Sequence, residues 1–112
     1  MSKSRRKGTA AESLVVAHLN GHGYPQAERR SLSGALDKGD IVNGPEGFVL
    51  EVKAHRTPHY QAWLREAEVE RANADADYGV VVHKPHGVGP AKVGDFHVVM
   101  SLDTFLSVVQ GQ

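Results

Sequence analysis

The sequence predicts an α/β domain, a mixed sheet flanked by helices. Three observations carry that expectation. Leu14, Val15, His18 and Leu19, and later Trp63, Leu64 and Ala67, recur at helical spacing. Between those segments, Gly39 to Lys53 reads as two short strands around a tight Asn-Gly-Pro-Glu-Gly loop. Tyr78 to His83 is a continuous apolar run of the kind found in buried central strands.

In chain order, residues 1–7 read as a flexible basic arm and residues 8–112 as one domain. Thr9 and Glu12 match a capping box, with Thr as N-cap and Glu three residues on. The helix they open is stopped by Asn20-Gly21-His22-Gly23. Gln26 to Arg30 is a first strand, polar in composition, and residues 31–39 are a loop. After the Gly39–Lys53 hairpin, Thr57-Pro58 opens a second helix reaching about Ala74. Its exposed face is expected to carry Arg65, Glu66, Glu68, Glu70 and Arg71. Lys84 to Gly94 is a Gly/Pro-rich loop and Phe96 to Met100 a last strand. Ser101 to Thr104 caps a C-terminal helix striped by Leu102, Phe105, Leu106 and Val109.

Composition narrows the function classes. The 112 residues contain no Cys, which removes disulfides and Cys-based zinc sites. No apolar run approaches the roughly 20 residues of a membrane span, and no apolar h-region follows the basic N-terminus. The expected location is the cytoplasm. Net charge is zero, but its distribution is uneven. Residues 1–60 hold nine Lys/Arg against six Asp/Glu, and residues 61–112 hold four against seven. Such asymmetry suits one polyanion-binding face, and equally a polar, solvated N-terminus.

The hairpin holds the densest chemistry. With Gly44 to Gly47 as its loop, Ile41 opposes Leu50 and Asp40 opposes Glu51. Side chains alternate along a strand, so Glu51 and Lys53 share one face and Phe48, Leu50 and Val52 the other. Directly opposed carboxylates repel, and a hard divalent cation between them removes the conflict. A one-residue slip would separate Asp40 from Glu51.

The spacing Asp-x10-Glu-x-Lys, set between a capped helix and a helix leading to a buried strand, resembles the PD-(D/E)XK nuclease superfamily. Within it, the chain looks most like the Holliday-junction resolvase branch. The resemblance rests on Lys7-Gly8-Thr9-Ala10-Ala11-Glu12, Gly39-Asp40, Glu51-Val52-Lys53 and Gln61. It implies a restriction-endonuclease-like αβββαβ core. It implies that Asp40 and Glu51 bind Mg²⁺ or Mn²⁺, helped by the Val52 carbonyl and by Glu12. Lys53 would orient the attacking water and stabilise charge at the phosphate. Gln61 and His55 are further candidates for supporting the site. Arg5, Arg6, Lys7, Arg29 and Arg30 are candidate phosphate contacts, or simply solvated charge. Where the family motif has Pro, this chain has Gly39.

The function so implied is Mg²⁺-dependent endonucleolytic cleavage of branched DNA by a homodimer, in a bacterial cell or a phage-infected host. The alternatives are a related nuclease acting on flaps, single strands or duplexes, and a non-catalytic nucleic-acid-binding module on the same fold. The His55/His59 and His83/His86 pairs lack a third grouped ligand for zinc. Trp63 is expected in the core.

Overall fold

The structure is a computed structural model that describes residues 3–31 and 36–111, with side chains from Lys7 onward. Helix α1 spans Lys3–Asn20. It therefore continues through residues 3–7, expected as an arm, and Thr9 lies inside it rather than at its cap. The Thr9/Glu12 capping box is corrected accordingly. Lys and Arg are good helix formers, and a single interior Gly8 costs only about 1 kcal/mol. Ala11 and Val15 are buried, with Val16 and Leu19 packed beside them, so one face of α1 lies on the core.

Strand β1 is shorter than expected, Glu28–Arg29, and pairs antiparallel with β2, Ile41–Val42. Strand β3, Phe48–Lys53, belongs to a separate three-stranded sheet ordered β3-β4-β5. Helix α2, Tyr60–Ala74, leads into β4, Tyr78–His83, which runs parallel to β3 from Phe48↔Tyr78 to Lys53↔His83. Thr57 and Pro58 precede α2 instead of opening it. Residues Pro90–Asp95 form 3₁₀ turns within the expected loop. Strand β5, His97–Val99, pairs antiparallel with β4 and completes a mixed sheet. Helix α3, Leu102–Gln110, begins as expected: Thr104 N donates to Ser101 Oγ at 3.0 Å. None of its residues is buried, and Leu102, Phe105, Leu106 and Val109 are exposed.

The β2–β3 hairpin does not form the expected ladder. β2 pairs with β1, and one backbone bond ties it to β3, from Asp40 N to Leu50 O at 3.0 Å. The break has a local cause. Asn43 sits at φ +60°, in the left-handed region that Asn tolerates, and turns the chain away after two β2 residues. The second link is a side chain: Val52 N donates to Asp40 Oδ2 at 2.7 Å. Asp40 thus occupies the place a strand carbonyl would take on the open edge of β3.

β3 and β4 separate two kinds of core. Toward α1, Leu50, Val52, Val80 and Val82 pack on Ala11, Val15, Ala27 and Ile41. Toward α2, Val81 packs on Trp63 and Ala67. Helix α2 comes very close to β4 at Gly79, where an added Cβ would lie 2.6 Å from the Ala67 carbonyl oxygen. Glycine at that position sets the height of α2 above the sheet. No helix among the described residues is long and apolar enough to cross a membrane.

Candidate metal centre

The α2 face of β3 carries the charged residues. Glu51 and Lys53 alternate with Leu50 and Val52 as expected, so both point toward α2. Glu51 is 7% exposed, and its Oε1 lies 3.7 Å from Lys53 Nζ. Lys53 Nζ also donates to Glu66 Oε2 at 2.9 Å. Asp40 reaches the same region from the β3 edge. Its hydrogen bond to the Val52 amide leaves it bracketing Glu51, although its backbone bonds to Leu50 rather than facing Glu51 in a ladder. Because peptide orientation alternates along a strand, the Val52 carbonyl points to that same edge.

Two residues that sequence reasoning passed over join this group. Glu70 was expected on the solvent face of α2, and that is corrected: it is 3% exposed. It falls three residues after Ala67 and seven after Trp63, on the stripe that faces the sheet. Asp37, from the loop before β2, is held near by Asn73 Nδ2, which donates to the Asp37 carbonyl at 2.8 Å. Asp37, Glu51 and Glu70 each offer a carboxylate oxygen, all within 4.8 Å of one another. The Glu70 signal was legible in the helical spacing. Asp37 carried no signal, because only the tertiary fold brings its loop to α2.

Gly39 lets this loop arrive. It sits at φ +98°, and a Cβ there would meet Val49 Cγ1 at 2.7 Å and Glu70 Oε1 at 3.8 Å. Proline, locked near φ −65°, cannot take that conformation. Glycine rather than proline at this position thus has a backbone reason.

Crowding raises the carboxyl pKa values. Burial, then the neighbouring Glu51 charge, pushes Asp40 up to about 8, against the opposing pull of the Val52 amide. Burial and the adjoining Glu70 push Glu51 up to about 9. Burial, with Asp37, Asp40 and Glu66 nearby, pushes Glu70 up to about 7, against the lowering effect of a proton held on the adjoining Glu51. Burial works against the Lys53 ammonium, yet Glu66, Glu51 and Asp40 together hold its pKa above the ordinary value. Glu51 and Glu70 touch, and as two carboxylates neither can donate to the other. Glu51 Oε2 and Glu70 Oε1 are then buried without a hydrogen-bond partner. A shared proton or a cation satisfies them. The donor set is all oxygen, which suits a hard cation of the Mg²⁺, Mn²⁺ or Ca²⁺ class.

The remaining candidates lie further out. Glu12 on α1 adds negative potential at Asp40, but its carboxylate accepts from Arg29 Nε at 3.1 Å. Arg29 is exposed and Arg30 half-buried, its backbone N–H bonded to the Asp40 carbonyl at 2.8 Å. Lys7 is exposed, and the Arg5 and Arg6 side chains lie outside the described residues. Gln61 is exposed in the first turn of α2, about 160° around the helix from Trp63, so it is turned away from the sheet-facing stripe. His55 is also exposed. Its ring lies against His59 and Trp63, and its carbonyl is 2.9 Å from His83 Nε2. His83 is buried with both ring nitrogens engaged, the second by the Tyr60 hydroxyl, so it serves the core. Trp63 is buried as expected.

Comparison with family models, with curated proteins and with solved structures returns no match for this chain.

Proposed function

We propose that this chain is a divalent-cation-dependent endonuclease that hydrolyses DNA phosphodiester bonds, with branched DNA as its substrate. One observation carries the reading. Asp40, docked on the Val52 amide at the open edge of β3, adjoins Glu51, and Lys53 lies 3.7 Å from Glu51. Two carboxylates and an ammonium so grouped suit metal-assisted phosphodiester hydrolysis, the carboxylates as ligands and the ammonium facing developing negative charge. The strong upward pKa shifts of both carboxyls mark an arrangement costly to the fold and typical of working sites. The element order α1-β1-β2-β3-α2-β4 supports the reading, with β1 and β2 paired apart from the β3-β4-β5 sheet.

In this reading Asp40, Glu51 and the Val52 carbonyl hold Mg²⁺ or Mn²⁺, which supplies Lewis acidity and lowers the pKa of bound water. The chain's own groups do the rest. The Val52 amide fixes the Asp40 carboxylate. Lys53, once released from Glu66, donates to the attacking water or to a phosphate oxygen. Glu12 tunes the charge at Asp40 and exchanges Arg29 with the DNA backbone. Arg29, Arg30 and Lys7 contact phosphates. A homodimer would place two such sites for paired cuts, and the exposed α3 stripe with Val98 is its contact face.

The test is cleavage of a labelled four-way junction against its linear arms, with Mg²⁺ and with EDTA. Metal-dependent cutting of the junction alone is the expected result. Equal cutting of both substrates would overturn the preference for branched DNA. No cutting with any divalent cation would overturn the nuclease reading in favour of a binding module.

A further inference from the structure

We infer that Asp37, Glu51 and Glu70 form a seat for a second hard divalent cation, with Glu51 shared between this seat and the Asp40 position. Three elements build it: the loop before β2, strand β3 and helix α2. Their carboxylate oxygens converge within 4.8 Å.

Convergence alone would be an acidic cluster. The second observation is burial without partners. Glu70 is 3% exposed and Glu51 7% exposed. Glu70 Oε1 and Glu51 Oε2 are each shielded from solvent and accept no hydrogen bond. A buried carboxylate oxygen with no donor is destabilising, and this group holds two of them. Among the described residues, no Lys, Arg or His forms an ion pair with Glu70 or Asp37. The nearby ammonium, Lys53, is committed to Glu51 Oε1 and Glu66.

Glu51 has one oxygen for each role. Oε1 faces Lys53, and Oε2 is the buried, unpartnered atom. The seat is also held in place by its surroundings. Asn73 ties the Asp37 loop to α2, and Trp63 and Ala67 anchor the Glu70 face of the helix in the core. Three carboxylates and no nitrogen or sulfur select a hard cation. They favour Mn²⁺ or Ca²⁺ over Mg²⁺, which usually takes one or two carboxylates and keeps its waters.

This seat goes beyond the nuclease reading, because it requires cation binding and no reaction. Mn²⁺ binding to the full chain, measured by titration calorimetry and by the loss of free-Mn²⁺ paramagnetic signal, tests it. The expected result is two Mn²⁺ per chain. Glu70→Gln and Asp37→Asn should each weaken one of them by at least about tenfold, Asp40→Asn should spare that one, and Glu51→Gln should lose both. Melting in EDTA checks the fold of each variant. Asp37 is exposed on a loop, so Asp37→Asn remains informative if a helix variant fails to fold. Unchanged Mn²⁺ binding in folded Glu70→Gln or Asp37→Asn would overturn the seat and leave a proton-sharing carboxyl pair. The full pattern with no DNA cleavage would support the seat and overturn the nuclease reading.

Discussion

The two faces of the β3–β4 sheet are built from alternate residues of the same two strands, yet they differ in kind. Toward α1 the core is hydrocarbon: Leu50, Val52, Val80 and Val82 against Ala11 and Val15. Toward α2 the sheet carries the buried polar residues Glu51 and His83, and α2 contributes Glu70. Burial on the first face is favourable at about 25 cal/mol per Å² of apolar surface. Burial on the second desolvates carboxyl groups that repel one another. The first face therefore stabilises the fold throughout, whereas the second stabilises it only where Val81 packs on Trp63 and Ala67 and carries the cost of the carboxyl groups beside them. Such a division is expected where a rigid scaffold holds a reactive site.

That division can be broken one face at a time. The largest expected effect is on the α2 face. Lys53→Ala should lower metal-dependent cleavage by about 10²–10⁴-fold, while DNA binding and the melting temperature stay near wild type. A Lys53→Ala protein that cuts normally would sink the assignment of Lys53. On the α1 face the effects should reverse. Val80→Ala removes fully buried hydrocarbon and should cost about 2 kcal/mol of stability, with cleavage per folded molecule unchanged. Denaturant unfolding and a rate corrected for folded fraction measure both. A rate loss larger than the unfolded fraction explains would show that the faces are coupled.

The smallest effect per step is on pH dependence. Folded-state pKa values of about 8, 9 and 7 for Asp40, Glu51 and Glu70 lie above their ordinary values. The folded chain therefore binds these protons more tightly than the unfolded one. Their contribution to stability is fully present below about pH 4, the ordinary carboxylate range, and is lost as pH rises toward about 9. The slope is at most about 1.4 kcal/mol per pH unit for each proton. Without metal, melting temperature should fall from pH 5 to pH 9, and added Mn²⁺ should recover most of the loss at pH 8. Melting that rises over this range without metal would contradict the buried carboxyl cluster.

How much was legible in the sequence follows from the kind of signal each element had. Helix α2, strand β4 and the Ser101 cap of α3 rest on local periodicity or a local hydrogen bond, and they stand close to where the residues place them. The start of α1 was misplaced because a capping pattern at Thr9 competed with helix formers upstream that extend the helix. The hairpin was misjudged because an Asn-Gly-Pro-Glu-Gly loop does not say which partner each strand takes. β2 chose β1, and β3 chose β4.

Sequence by itself determined the alternation that puts Glu51 and Lys53 on one face, since strand geometry sends side chains i and i+2 the same way. It also brought Asp40 into their neighbourhood, since residues 40 and 51 flank one short loop, while leaving the register open. The tertiary structure decided how Asp40 arrives, through its carboxylate on the Val52 amide rather than through a ladder. It alone decided that Asp37 joins the group, and it brought Glu70, whose helical spacing turns it toward the sheet, within reach of Asp37 and Glu51. The reason is that α2 and the loop before β2 are distant in sequence and are brought together only by the tertiary fold. Contacts of that kind are set by packing, which no local pattern encodes.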